Sequence, residues 1–444
     1  MTQTNTADSQ RVMTKSSITR RLFIQLAGLG SLGLLAGRTG FRRLSLAQAA
    51  DSTAHDVEIN LMAAPDQQII LPGQPTTVWK YTASLVKGDA SNLVTLPDTY
   101  LGPIIHLRTG QRVRINFTNN IAEESIVHWH GLHVPHEADG HPSAVIDSGE
   151  TYVYEFDVLD RAGTYWYHPH PHGRTGPQAY MGLAGLFVIS DDNEDAAELP
   201  TGNYDLPLVI QDRTFDAGNQ LIYFASPMGF LGDKIFVNGK PNAGRTVENV
   251  PHRLRILNGS NSRIYKLAWA DTTPLTVIAT DGGLLDTAVS RNYVTLSPGE
   301  RVELWVDFSH WAVGSLVELR SLAFSGGHFG GGGGTLPNGA EFPVMTFQIG
   351  GSDATPTPTS TPNPSLTPEA YLPMVLKQQQ NSGVVQSASG SQEVTRSFSL
   401  YMRQGVWTIN GRTFEMTAVA SDEIVTLGDR EIWEFDNNSQ FGGG

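Results

Sequence analysis

The 444-residue chain contains no cysteine. That absence excludes disulfides, thiolate nucleophiles, iron–sulfur clusters and every metal centre that needs a sulfur anion. Positive charge is scarce as well: 30 Lys and Arg stand against 44 Asp and Glu, for a formal net charge of −14. A nucleic acid partner is therefore excluded, because too little is present to neutralise a phosphate backbone. Long hydrophobic runs are missing too. The apolar stretch after Arg20-Arg21 reaches only Ala36 and is rich in glycine, too short for a bilayer core of ~30 Å, so no stable membrane anchor is expected. Histidine is absent beyond His328.

What is present describes a turn-rich globular protein. Hydrophobic residues make up 40% and charged residues 17%, with 46 Gly and 25 Pro, a composition that buries real cores and punctuates many short strands. Residues 1–50 read as a removable address. Paired arginines precede the short apolar stretch, and Ala47-Gln48-Ala49 supplies small residues for cleavage. This pattern implies export by the twin-arginine route to the periplasm or the outside of the cell. Val113–Phe117 and Tyr152–Phe156 alternate with the period of a strand, and Arg253–Leu257 and Arg301–Val306 are the clearest strands of a second block. The expected organisation is β-rich domains over 51–195 and 196–350, then a Pro/Thr/Ser-rich linker or insertion over 351–395. A third β pattern over 396–444 is about half of a sandwich that needs ~100 residues. It turns at Asn410-Gly411, and Ile432–Phe435 reads as its core strand.

Chemistry concentrates in two segments, Val127-His128-Trp129-His130-Gly131-Leu132 and Tyr167-His168-Pro169-His170-Pro171-His172. On a strand, residues two apart point to one face, so His128 and His130 aim at a common point, as do His168 and His170. Neutral imidazole suits copper, zinc, iron or nickel. One such pair is a weak signal. Two pairs in one β domain, each with neighbouring Trp and Gly, point to a metal centre. His133, His136, His141 and His172 read as loop residues around it, and His106, His252 and His310 as structural. His328 precedes the Gly330–Gly334 run, which is too flexible to hold a rigid ligand.

These motifs resemble those of the multicopper oxidases of the laccase and cuprous-oxidase type. His-Trp-His-Gly-Leu at 128–132 is similar to the first copper motif of that family, and Tyr-His-Pro-His at 167–170 to the second. The likeness continues through Leu257–Ser260, Thr280–Gly283, Leu296–Arg301, Val306–Phe308, Ile409–Gly411 and Glu431–Trp433. It implies an all-β fold of consecutive cupredoxin-like Greek-key sandwich or barrel domains, two complete and a third partial. It implies copper as cofactor, with His128 as a type 2 ligand and His130, His168 and His170 as type 3 ligands. Asp139 matches an acid that helps deliver protons, although Asp139-Gly140 is also an ordinary turn pair. The implied reaction oxidises a small phenolic or metal-ion substrate and reduces O2 to water.

The family also needs a blue copper bound by a thiolate, and eight histidines around its three-copper cluster. This chain has no Cys, and its two motifs supply four of the eight. The expectation is an oxidase whose chain, as given, is inactive alone, with Phe441–Gly444 falling about where a third copper motif starts. The competing reading is a copper-free, non-catalytic scaffold or binding protein on the same fold. It accounts for the missing cysteine but not for the intact histidine pairs. With 9 Met and no Met-rich segment, a Met-lined entry for cuprous ions has no support. No feature of the sequence fixes the oligomeric state.

Overall fold

The computed structural model describes residues 54–226, 229–325, 335–351, 394–426 and 431–437. Residues 1–50, expected to be an export signal, His328 with the glycine run, most of the 351–395 tract and Phe441–Gly444 lie outside them.

The first block contains β1 (Val57–Gln68), β2 (Thr76–Lys87), β3 (Leu93–Val94), β4 (Ile104–Arg108), β5 (Arg112–Asn119), β6 (Val127–His130), β7 (Thr151–Asp157), β8 (Gly163–Pro169) and β9 (Gly185–Ser190). They form one sheet in the order β2-β1-β5-β7 and a second in the order β3-β4-β9-β8-β6. The predicted alternation is real. Val113, Ile115 and Phe117 of β5, with Tyr154 and Phe156 of β7, are buried against Trp129, Tyr167 and Phe187 of the facing sheet. Among the described residues helix is confined to short pieces such as α1 (Thr175–Tyr180) and α2 (Asp192–Ala196).

β8 departs from simple alternation because it is buried at every position. Tyr165 and Tyr167 enter the core between the two sheets. The opposite face carries Thr164, Trp166 and His168, and it is covered by the second block: Trp166 packs in a cluster with Val209 and Leu257. The histidine motif therefore sits on a face that is roofed rather than solvated.

That second block continues the chain through β10 (Asp205–Phe215), β11 (Leu221–Ile222), β12 (Lys234–Val237), β13 (Lys240–Pro241), β14 (Gly244–Glu248), β15 (Pro251–Asn258), β16 (Tyr265–Trp269) and β17 (Leu275–Thr280). It is completed by β18 (Gly283–Arg291), β19 (Val294–Leu296), β20 (Arg301–Asp307), β21 (Leu316–Ser321) and β22 (Phe342–Gly350). One sheet runs β13-β12-β10-β15-β20-β17-β18, with β11 pairing β10, and the other β14-β22-β21-β16-β19. A period of two alone would place Arg253 and Arg255 in solvent. Instead both are buried, and so is Glu303 on the adjacent strand β20. Glu303 accepts from Arg253 Nε at 2.7 Å, Arg255 Nη1 at 2.9 Å and Thr164 Oγ1 at 2.6 Å. Glu194 and Asp205 supply further acceptors to the same arginines. Buried charges persist only when paired and hydrogen-bonded, and this cluster ties β8 to β15 and β20.

The third block gives β23 (Val394–Arg403), β24 (Val406–Ile409) and β25 (Glu431–Asn437), in the order β24-β23-β25. Its strand begins at Val394, two residues before the expected start. Gln404-Gly405 turns the hairpin with φ of 50° and 81°, and Asn410-Gly411 adds the expected turn with 51° and 76°, the left-handed pair that short hairpin turns require. Ile432–Phe435 is a strand, but no second sheet covers it among the described residues. Trp433 and Phe435 are each 50% exposed and pack against Phe398 and edge-on against each other.

Candidate metal centre

β6 and β8 pair antiparallel with His128 opposite His168 and His130 opposite Trp166. This register puts both HxH pairs on the roofed face, while the intervening Trp129 and Tyr167 go to the core. His170 follows β8 directly and is fixed by its backbone N–H donating to the carbonyl of Ile126 at 2.9 Å. The four expected ligands therefore converge. Ring centroids lie 5.3 Å apart for His128 and His168, 5.1 Å for His128 and His170, and 5.4 Å for His130 and His168. His128, His130 and His168 each offer a ring nitrogen within 4.8 Å of the others.

Neighbouring backbone sets which nitrogen is free. His128 Nδ1–H donates to the carbonyl of Asp139 at 2.7 Å, and His168 Nδ1–H donates to that of Pro169 at 2.9 Å. In both rings Nε2 keeps its lone pair, the arrangement common for metal-bound imidazole. His168 Nε2 lies 3.2 Å from His130 Nδ1, and Nδ1 of His170 is buried with no hydrogen-bond partner. An orphaned buried nitrogen and two ring nitrogens turned toward each other are suited to hold a cation. The electrostatics agree. Burial, with help from Arg301, pushes His130 down to about 3. Burial likewise drives His168 well below the ordinary imidazole value and lowers His170. These three rings are neutral donors at neutral pH, and imidazole nitrogens without a sulfur suit copper, zinc, iron or nickel.

Asp139 stands at the edge of this cluster. Its carboxylate lies 3.3 Å from His128 Nδ1 with its side chain 40% exposed, and the hydrogen bond from His128 holds it below the usual carboxylate range. Gly140 follows with φ +76°, and a Cβ there would stand 1.9 Å from the carbonyl oxygen of Val127. Only glycine lets this loop close on β6.

The remaining histidines have other contacts. His133 donates from Nδ1 to the buried Asp160 at 2.5 Å, with its side chain 85% exposed. His252 donates to the carbonyl of Val250 and packs on Phe308. His172 rests on Phe414, and His136 faces His141. What sequence reasoning missed is the roof. Arg301 and Gly299 belong to a phrase that the sequence offers only as part of the family likeness, yet a Cβ on Gly299 would touch the His130 ring at 3.2 Å. Arg301 is held by Asp281 at 2.7 Å and the Thr164 carbonyl at 3.0 Å. No local signal links residues 170 positions apart.

A family model described as multicopper oxidase matches residues 77–194, the stretch that carries both histidine motifs. The chain is 38% identical over 225 residues to the multicopper oxidase mco of Staphylococcus aureus, covering 50% of each protein. It is 32% identical over 299 residues to the cell division protein FtsP of Escherichia coli, covering 66% of this chain and 61% of that one. In structure it resembles the McoA multicopper oxidase of Aquifex aeolicus with a TM-score of 0.64 at 36% identity, covering 81% of this chain and 72% of that one. The chain belongs to the multicopper oxidase family, and its sandwiches have the cupredoxin fold. It spans about half the length of the curated Staphylococcus relative it matches.

Proposed function

We propose that this chain is the copper-holding portion of an exported oxidase that couples oxidation of a small phenolic or metal-ion substrate to reduction of O2 to water. The convergence of four imidazoles, three from β6 and β8 and His170 just after β8, on one roofed face carries the reading. His128, His130, His168 and His170 hold the copper, which when bound supplies one-electron redox chemistry toward O2. The backbone carbonyls of Asp139 and Pro169 orient two of these rings. The half-exposed Asp139 carboxylate connects the cluster to solvent protons. Export rests on the paired arginines and the small-residue cleavage pattern of residues 1–50.

The same reading holds that the 444 residues alone do not turn over. A blue copper needs a thiolate beside its imidazoles, and the chain has none. The test is to load the purified chain with Cu(II) and record metal stoichiometry, electron paramagnetic resonance, visible absorption and O2 uptake with a phenol. Copper should bind without an intense blue band and without O2 consumption, and His128→Ala/His168→Ala should abolish the inner signal. Phenol-dependent O2 uptake by the parent chain would refute the inactive half of the proposal. A second reading, a copper-free scaffold, has the missing cysteine and the likeness to a cell division protein in its favour. It would be supported by failure of the folded chain to bind copper at the inner histidines.

A further inference from the structure

A second group of imidazoles lies just outside the first. The loop that closes on His128 through the Asp139 carbonyl has His136 at one end and His141 at the other. The two rings meet with centroids 5.3 Å apart at 49°, the separation found between His128 and His168 in the inner cluster. Metal–nitrogen bonds of about 2.0–2.1 Å place two imidazoles on one tetrahedral ion about 5 Å apart between ring centres. His141 Nδ1 is engaged by Ser143, whose Oγ lies at 2.8 Å, which leaves Nε2 for a ligand. His141 also lines an open cleft of about 1310 Å³ formed with Thr413, Phe414 and Glu415, so an ion there has room for water ligands. His136 is exposed. Neither ring is needed for the inner site, whose rings are positioned by β6, β8, the residue just after β8 and the Asp139 carbonyl.

We infer that His136 and His141 form a chelating site for a divalent first-row cation, with Cu(II) bound more tightly than Zn(II) as expected for imidazole donors. The site takes copper from solution at the cleft and holds it on the outer side of the loop whose inner side orients His128. The site stands independently of whether the inner histidines are loaded.

The experiment is equilibrium dialysis of the metal-free full chain against Cu(II) and, separately, Zn(II), with electron paramagnetic resonance of the copper samples. His136→Ala/His141→Ala should bind one ion fewer per chain than the parent while circular dichroism stays native. Each single variant should weaken that ion at least tenfold. His133→Ala, which removes an exposed imidazole elsewhere, should bind as many ions as the parent. His128→Ala/His168→Ala should lose the inner ion and keep the outer one, which separates this site from the proposed oxidase function. Should the double alanine variant fold poorly, His136→Gln/His141→Gln gives the same reading. Unchanged stoichiometry in a natively folded variant lacking both rings overturns the inference, and so does loss of the same ion in His133→Ala.

Discussion

Replacing Gly140 by alanine tests whether main chain, rather than a carboxylate, orients the inner cluster. The added Cβ would stand 1.9 Å from the carbonyl oxygen of Val127, where ordinary contact begins at 3.4 Å. The loop must then retreat by about 1.5 Å, the difference of those two distances. The bond from His128 Nδ1 to the Asp139 carbonyl, now 2.7 Å, would open beyond hydrogen-bonding range. Left-handed backbone on a residue with a side chain, combined with overpacking, costs about 2–4 kcal/mol of stability. Loss of the group that orients a metal-bound imidazole lowers affinity by about 10–100-fold. A denaturant melt and a Cu(II) competition titration against a coloured chelator measure both effects. Asp139→Ala is the counterpart, since it keeps the carbonyl and removes only a half-exposed carboxylate worth about 0–1 kcal/mol. Its copper affinity should stay within roughly fivefold of the parent. A Gly140→Ala protein with parental stability and affinity would refute the argument, and so would an Asp139→Ala protein that has lost copper.

Three further outcomes are expected. Burial, reinforced by Arg255, pushes His106 down to about 4; the unfolded chain binds the extra proton first, so this group's contribution to stability is complete above about pH 6.5 and declines as the pH falls toward 4. The melting temperature of His106→Gln should therefore fall less steeply with acid than that of the parent, and equal slopes would show that His106 does not titrate on unfolding. Glu303→Leu strands Arg253 and Arg255 beside Glu194 and Asp205 alone and should cost about 3–5 kcal/mol in urea denaturation, with parental stability the contrary result. Trp433→Thr/Phe435→Thr should cut binding of a hydrophobic dye and self-association measured by light scattering, because both rings are 50% exposed on one sheet face; unchanged dye binding would place the apolar patch elsewhere.

Much of the fold was legible because its signals are local. Alternation in Val113–Phe117 marks β5 directly, and the spacing of His128, His130, His168 and His170 encodes a shared face that only the register of β6 and β8 had to complete. Arg253 and Arg255 were not legible as buried groups. Their sequence reads as a polar stripe, and the partners that make burial tolerable, Glu194, Asp205 and Glu303, are scattered along the chain. The roof over the histidine face was hidden for the same reason. Arg301 reaches Tyr165 and the Thr164 carbonyl only after two separate sheets have formed and met. The tautomers of His128 and His168 depend on main-chain carbonyls, which any residue supplies and no residue type announces.

The cluster that joins Val78, Ile104, Trp166 and Leu186 to Val209 and Leu257 has a practical corollary for anyone who wishes to cut this molecule. An excised segment ending near Ser190 would uncover the indole that stacks 4.2 Å from His168 and leave Thr164 without its buried carboxylate acceptor. The rings would keep their backbone positions, but His130, His168 and His170 would lose the wall that dries them, and with it the burial that lowers their proton affinity. The smallest autonomous carrier of the centre therefore includes both sandwiches, and cloning boundaries drawn from the histidine motifs alone would yield a wet, protonatable site.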